Sequence, residues 1–165
     1  MGVINLFVSQ KYVDLNVISA NQALNIYLNK HKCTNLTRFV HWVIDIETDL
    51  DENTCLNKLT KGSYLLCNPN KEEVSCVLDL NCKDVVYVDV SSKLLIENKE
   101  FRYQLHSVSD LIVNSIEKRV VWGCKVDYID PQERKAYVEN ELLGVKGVSS
   151  GLLMNPIYET YSFLN

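Results

Sequence analysis

The chain has 165 residues, a length that suits a single domain and allows a substantial buried core. Hydrophobic residues make up 47% and charged residues 23%, which excludes a disordered chain. The net charge of -4 repels a phosphate backbone and so excludes a general nucleic-acid-binding surface.

The beginning of the chain has no basic segment followed by a long apolar run, so no signal peptide is predicted. No apolar run approaches the roughly 20 residues that span a bilayer, so no membrane association is predicted. The sequence therefore predicts a soluble, cytoplasmic protein. Its six cysteines are expected to remain thiols in that reducing compartment. The absence of a Cys-x-x-Cys pair gives no support for a structural metal, and no cofactor is expected.

In chain order, the first elements predicted are strands over 2–9 and 12–18. The period then changes to helical spacing, and Ser19 with Gln22 forms a capping box that predicts a helix over 20–30. A long central strand follows from Arg38.

The remaining elements follow from the same rules of alternation, helical spacing and turn residues. Further strands are predicted over 63–67, 74–80, 85–90, 93–96, 101–105 and 120–129. Further helices are predicted over 54–61, from Ser107, and from the cap Asp130 to Leu143.

These elements indicate one α+β domain over 1–165, with a largely antiparallel, meander-rich sheet. Three or four short helices pack on the sheet, and residues 144–165 form a loop-rich tail. Trp42 and Trp122 each belong to the apolar face of a strand, so both are expected to anchor the core. We find no internal repeat by sequence alone.

The central stretch, residues 38–52, is the first candidate site. In a strand, His41, Val43, Asp45, Glu47 and Asp49 share one face, because side chains alternate with period two. The hydrophobic half therefore runs directly into a group of carboxylates. Asp49, Asp51 and Glu52 are the predicted partner-binding residues, since they complement a basic surface.

The same stretch offers an enzymatic alternative. Asp45-Ile46-Glu47-Thr48, after an apolar run, resembles the first motif of the DEDD-type 3′–5′ exonucleases. That resemblance implies that Asp45 and Glu47 hold Mg²⁺ or Mn²⁺, which activate water for phosphodiester hydrolysis. His106 and Asp110 loosely resemble the third motif and are the accessory catalytic residues of this alternative.

The C-terminal tail offers a third interpretation. Asn155-Pro156-Ile157-Tyr158 matches the turn-forming peptide that phosphotyrosine-binding domains take, and Tyr161-Ser162-Phe163-Leu164 matches an endocytic signal. Tyr158 and Tyr161 would then bind an adaptor, provided that the tail is free. An aromatic strand docked on the domain is the favoured interpretation.

No complete catalytic constellation can be assembled from these residues. The preferred function is therefore a small acidic binding, inhibitor or immunity-type accessory protein without catalytic activity. Its expected partner is another protein with a basic surface. The abundance of asparagine beside valine, isoleucine, leucine and tyrosine is typical of AT-rich genomes, including those of many viruses and phages.

Overall fold

The computed structural model describes residues 2–61, 64–94, 98–145 and 151–165, with Tyr27 described by its backbone alone. Its strands are β1 Gly2–Gln10, β2 Cys33–Glu47, β3 Glu72–Ser75, β4 Val85–Ser92, β5 Ile112–Val126 and β6 Glu159–Phe163. Its α-helices are α1 Leu15–Gln22, α2 Glu52–Thr60, α3 Lys99–Ser109 and α4 Pro131–Tyr137. A π-helical segment extends α1 over Ala23–Tyr27 and another extends α4 over Val138–Leu142.

The described strands form one sheet in the order β3-β1-β2-β5-β4-β6, and the helices pack on it. β1 pairs antiparallel with β2 and β3, and β4 pairs antiparallel with β5 and β6. The predicted α+β class with a largely antiparallel sheet is confirmed. Among the described residues, no helix is both long enough and apolar enough to cross a membrane.

The predicted strand over 12–18 is wrong. Asp14 accepts hydrogen bonds from the backbone N–H groups of Asn16 and Val17, so the helix begins at Leu15 rather than at residue 20. An alternation of Val13, Leu15 and Val17 is too short to outweigh a side-chain cap that satisfies the first orphan donors.

The predicted hairpin around residue 98 is also wrong. Asn98 caps α3 through the N–H of Phe101, so the segment 101–105 is helical, while residues 95–97 lie outside the described ones. α3 ends where Asp110 adopts the left-handed conformation at φ 55°, and β5 begins at Ile112. The segment predicted as a strand before residue 107 is therefore helical, and the helix predicted from Ser107 is replaced within a few residues by β5.

The helix predicted from Asp130 is confirmed, with that side chain accepting from the N–H of Gln132. It ends before Gly144, whose φ of 69° is the left-handed conformation that glycine takes without strain. α2 is confirmed as well, although it begins at Glu52, two residues earlier than predicted.

The chain divides into two compact units. Unit 1 comprises residues 1–12, 40–78 and 95–119, and unit 2 comprises residues 13–39, 79–94 and 120–165. Unit 1 therefore contains β1, β3, α2 and α3, and unit 2 contains α1, β4, α4 and β6. The long strands β2 and β5 each contribute one part to unit 1 and the other to unit 2.

Unit 1 has its own hydrophobic core. Its fully buried members include Leu6 of β1, Ile44 of β2, Leu59 of α2 and Leu105 of α3. Trp42 packs against this core, stacks on Phe101 with ring centroids 5.4 Å apart, and donates to the carbonyl of Leu66 at 3.2 Å. This tryptophan is a core anchor, as predicted.

Unit 2 has a second core of the same construction. Leu24 of the α1 segment, Val88 of β4, Cys124 of β5 and Leu142 of the α4 segment are fully buried in it. Trp122 is buried in the same cluster, at 8% exposure, so the second tryptophan is also a core anchor. The six cysteines are free thiols, as expected.

The two units contain the same Asn-Pro turn. The segments LLCNPNKE over 65–72 and LLMNPIYE over 152–159 share leucines, asparagine, proline and glutamate at equivalent positions. The first turn leads into β3 and the second into β6.

The hydrogen bonds of the two turns match one for one. The backbone N–H of Asn68 donates to the carboxylate of Glu72 at 2.7 Å, and that of Asn155 donates to Glu159 at 2.6 Å. In return the N–H of each glutamate donates to the carbonyl of its asparagine, at 2.8 Å in both turns. The two turns therefore have the same hydrogen-bonding pattern.

The turns are attached to their units in the same way. Lys11 follows β1 and donates through Nζ to the carbonyl of Pro69 at 2.6 Å, while its N–H donates to the carbonyl of Lys71. Lys93 follows β4 and donates through Nζ to the carbonyl of Pro156 at 2.5 Å. The backbone N–H of Lys93 likewise donates to the carbonyl of Tyr158, at 2.8 Å.

A cation over a tryptophan is also repeated. In unit 1 the Lys118 ammonium lies 5.3 Å from the ring centre of Trp42, and in unit 2 the Arg38 guanidinium lies 5.9 Å from that of Trp122. Each cation belongs to the long strand other than the one that carries its tryptophan.

The described elements therefore repeat one order. Strand, helix, strand, helix and strand follow each other over 2–75 and again over 85–163. The sheet order reads the same from either edge, with β1, β2 and β3 equivalent to β4, β5 and β6. The buried residues of β1 and β4 also correspond in register; they are Ile4, Leu6 and Val8 in β1 and Val86, Val88 and Val90 in β4. The sequence predicts no internal repeat, and the similarity of the two halves lies in their turns and register rather than in overall sequence identity.

Candidate docking pocket at the acidic end of unit 1

The carboxylates of the acidic stretch lie at the end of β2 and the start of α2. Asp45 is half-buried opposite Val3 of β1, and Glu47 is the exposed last residue of β2. The strand ends there, so Asp49 is exposed in the bend and does not continue the alternating face that the sequence predicts.

Asp51 has a structural role at the start of α2. Its carboxylate accepts from the N–H of Thr54 at 3.0 Å and from the Thr54 hydroxyl at 2.5 Å. These hydrogen bonds lower the pKa of Asp51, the hydroxyl bond most of all. Since Asp51 caps the helix, it is less suited to testing partner binding than Asp49 or Glu52.

A pocket of about 320 Å³ opens near these residues, and Glu52 is the acidic side chain that lines it. Two apolar side chains at its mouth are exposed, Val3 at 60% and Leu50 at 45%. Residues from β1, β2, the bend and α2 line it: Gly2, Val3, Ile4, Ile46, Thr48, Leu50, Glu52 and Cys55. We call this cavity the β1–α2 pocket; its buried lining residues Ile4, Ile46 and Cys55 are apolar. By its acidic rim we mean Glu52, which lines it, together with Glu47 and Asp49, which adjoin lining residues along the chain.

The acidic rim carries negative charge that no basic side chain of the described residues neutralises by an ion pair. Among the described residues, no lysine or arginine lies within ion-pairing distance of Glu47, Asp49 or Glu52. Burial raises the pKa of the nearby Cys76 thiol, and the charge and hydrogen bond of Glu52 raise it further. The electrostatic field at this end of unit 1 therefore favours a cation.

The residues of the nuclease alternative are not grouped into a metal centre. Asp45 and Glu47 are on β2, whereas His106 and Asp110 are at the end of α3. The Nδ1 of His106 lies 2.6 Å from the carbonyl of Leu111, so that nitrogen carries a proton. Within the described part of the chain, no three His, Cys, Asp or Glu side chains are placed to hold a metal ion.

Asp110 instead lines an open groove between α2 and α3. Its carboxylate lies 3.5 Å from the Nζ of Lys58, and Lys61 lines the same groove of about 430 Å³. A salt bridge with one fully exposed partner adds little to stability.

The tyrosines of the tail lie in structured surroundings. Tyr158 is exposed in the second Asn-Pro turn, and Tyr161 lies in β6, which pairs with β4. The phenol of Tyr161 donates to the carboxylate of Glu139, and the side chain of Asn165 donates to the carbonyl of Val85 at 2.8 Å. The docked aromatic strand, the favoured interpretation of this segment, is confirmed.

Sequence reasoning missed the apolar part of the site. Val3, Leu50 and Cys55 come from three separate segments, and Leu50 stands between two aspartates, a pattern typical of a solvated loop. The available signal was an exposed leucine between two aspartates, directly before a helix cap.

No protein-family model matches this sequence, and no curated protein is similar to it at a significant level.

Proposed function

We propose that this chain is a non-enzymatic accessory protein that binds another protein through the β1–α2 pocket. The observation that supports the proposal is that two exposed apolar side chains, Val3 and Leu50, line one cavity together with the Glu52 carboxylate. The exposed carboxylates of Glu47 and Asp49 adjoin that lining along the chain. A partner segment with a basic side chain beside an apolar one matches both features.

The apolar and acidic parts have different roles in such an interface. Burying Val3 and Leu50 supplies binding free energy at about 25 cal/mol per Å² of apolar surface. Carboxylates at the rim guide a basic partner to the pocket and reject acidic ones. The rim alone gives little affinity, whereas apolar contacts at the centre of an interface carry most of it.

Affinity purification with a charge-reversed bait tests this proposal. The variant Asp49→Lys/Glu52→Lys reverses the rim and leaves the Asp51 cap in place. The matched control, Asp127→Lys/Glu133→Lys, makes the same change in charge before and within α4 of unit 2. All three baits are compared after circular dichroism has shown that they are folded.

We expect the wild type and the control to retain the same basic partner and the rim variant to lose it. Equal recovery by all three baits would remove the pocket rim as the docking surface. Loss with both variants would show that net charge alone determines binding, which also contradicts the proposal.

A further inference from the structure

The equivalent helices α2 and α4 differ at their fourth residue. That residue is Cys55 in α2 and Arg134 in α4, counted from the caps Asp51 and Asp130. The N–H of Cys55 donates to the carbonyl of its cap at 3.0 Å, and that of Arg134 donates to its cap at 3.1 Å. The two side chains therefore start from the same place in the fold.

In unit 2 the guanidinium of Arg134 connects three backbone carbonyls. Its Nε donates to Tyr128 at 2.5 Å, one Nη donates to Ile129 at 3.0 Å, and the other donates to Lys83. The planar fork of arginine suits three acceptors at fixed directions, which a lysine ammonium does not match. In unit 2 the chain's own Arg134 therefore satisfies the backbone carbonyls at the start of α4.

In unit 1 the equivalent residue, Cys55, lines the β1–α2 pocket. The Cys55 side chain is short, and its Sγ lies 3.8 Å from the carbonyl oxygen of Leu50. Leu50 is the residue before the cap, as Ile129 is in unit 2, where the guanidinium binds its carbonyl. Thr48, which lines the cavity, is likewise equivalent to Tyr128, because each lies two residues after the last buried residue of its long strand, Ile46 in β2 and Val126 in β5.

One further difference adds negative charge to unit 1. The residue after the cap is Glu52, which lines the β1–α2 pocket, whereas the same position in α4 is Pro131. Unit 1 therefore lacks the arginine of unit 2 and has a carboxylate that unit 2 lacks.

We propose that the β1–α2 pocket takes the guanidinium of an arginine that the partner protein contributes. The partner's arginine would occupy the position equivalent to that of Arg134 in unit 2, donating to the backbone carbonyl of Leu50 and pairing with the Glu52 carboxylate. This inference rests on the proposed function and names the chemistry of the partner.

A peptide titration tests the inference directly. The probes are acetyl-Ala-Arg-Ala-amide, the same peptide with lysine, and the same peptide with citrulline, which keeps the shape of arginine without its charge. Binding to the wild-type chain is followed by ¹H–¹⁵N chemical shifts. We expect saturable shifts at Gly2, Leu50 and Cys55 with the arginine peptide, and about tenfold weaker binding of the other two.

Two variants and one control locate the peptide. Cys55→Arg places a guanidinium in the pocket from within and is expected to abolish binding. Glu52→Gln removes the carboxylate and is expected to weaken binding about tenfold. The control Glu133→Gln, on α4, is expected to leave the affinity unchanged.

Equal affinity for the arginine and lysine peptides, or shifts outside the pocket, would overturn the inference. Binding of a second copy of this chain instead of the peptide would appear as concentration-dependent shifts without peptide, and would overturn it too. If the peptide fails while the rim-dependent recovery of a protein partner persists, the proposed function stands and the arginine inference falls.

Discussion

Units 1 and 2 share their strand pairing and turns and differ at the start of the equivalent helices α2 and α4. Both have a buried strand pair, an Asn-Pro turn fixed by a lysine, and a cation over a tryptophan. In unit 2 the Arg134 side chain donates to backbone carbonyls at the start of α4, whereas in unit 1 Cys55 lines the β1–α2 pocket at the start of α2. Where two copies of one framework share a feature, the fold explains it; where they differ, function is the better explanation.

The differences also divide the roles of the acidic residues. Asp51 and Asp130 cap equivalent helices, so their presence follows from the fold. Glu52 has no acidic counterpart at its position in unit 2, and it lines the pocket. Comparison of the two units thus assigns a structural role to Asp51 and a candidate binding role to its neighbour Glu52.

The largest expected effect is the loss of Arg134. The variant Arg134→Met keeps an unbranched side chain but removes every donor from three backbone carbonyls, at about 1.5–3 kcal/mol for a hydrogen bond to a charged group. We expect the free energy of unfolding to fall by about 3 kcal/mol in urea denaturation. At the equivalent position, Cys55→Ala is expected to cost only about 1 kcal/mol, and equal losses at the two positions would contradict the assignment.

A smaller effect is expected at Gly123 of β5. A Cβ there would lie 2.3 Å from the Thr37 hydroxyl oxygen and 2.9 Å from the Tyr87 ring, so Gly123→Ala forces both to move. We expect a loss of about 2 kcal/mol, in the range for overpacked interiors. Gly2→Ala is the matched control, because a Cβ there meets nothing within 4 Å, and its loss should stay below about 0.5 kcal/mol.

The two Asn-Pro turns are expected to respond equally. The side chain of Asn68 accepts from the N–H of Asn70 at 3.1 Å, and that of Asn155 accepts from Ile157 at 3.1 Å. Replacing either asparagine with alanine should lower the free energy of unfolding by about 1 kcal/mol. A clearly unequal pair of losses in urea denaturation would show that the turns are not equivalent.

Alkaline pH is expected to weaken unit 2 through its tyrosines. Burial raises the pKa of Tyr161 to about 12, with a further contribution from Glu139, and burial raises the pKa of Tyr137 to about 12. The unfolded chain loses these protons near pH 10, so their contribution to stability is full below pH 10 and is lost as the pH rises to about 12.

Urea denaturation at pH 9 and pH 11 measures this loss. Tyr161→Phe should reduce the difference between the two pH values, because one of the late-titrating phenols is gone. An unchanged difference in that variant would exclude Tyr161 as a source of the alkaline loss.

The sequence predicted the elements whose signals are local. The Asp130 cap with Pro131 marks α4, and the alternation around Trp42 and Trp122 marks the two long strands. It failed at Leu15 and Phe101, where a single Asp or Asn cap outweighs a short apolar alternation. These caps are visible in the sequence, but they compete with strand signals of similar strength.

The candidate site was predictable only in part. Its acidic residues are close together in the chain and could be predicted, whereas its apolar lining brings Val3, Ile46 and Cys55 together through the pairing of β1 with β2 and the packing of α2. The contrast between Arg134 and Cys55 depends on the equivalence of α2 and α4, which their separate sequences do not show. The repeated Asn-Pro-x-x-Glu pattern carried that equivalence in the sequence.

The most direct test of the account is the thermal stability of Cys55→Arg, with wild type and Cys55→Ala as references. If the β1–α2 pocket is the unfilled equivalent of the Arg134 site, the new guanidinium will reach the Leu50 carbonyl and Glu52. The Tm will then equal or exceed that of the wild type. If the two ends are not equivalent, a cation at a buried position without partners will lower the Tm well below that of Cys55→Ala. That result would contradict the account.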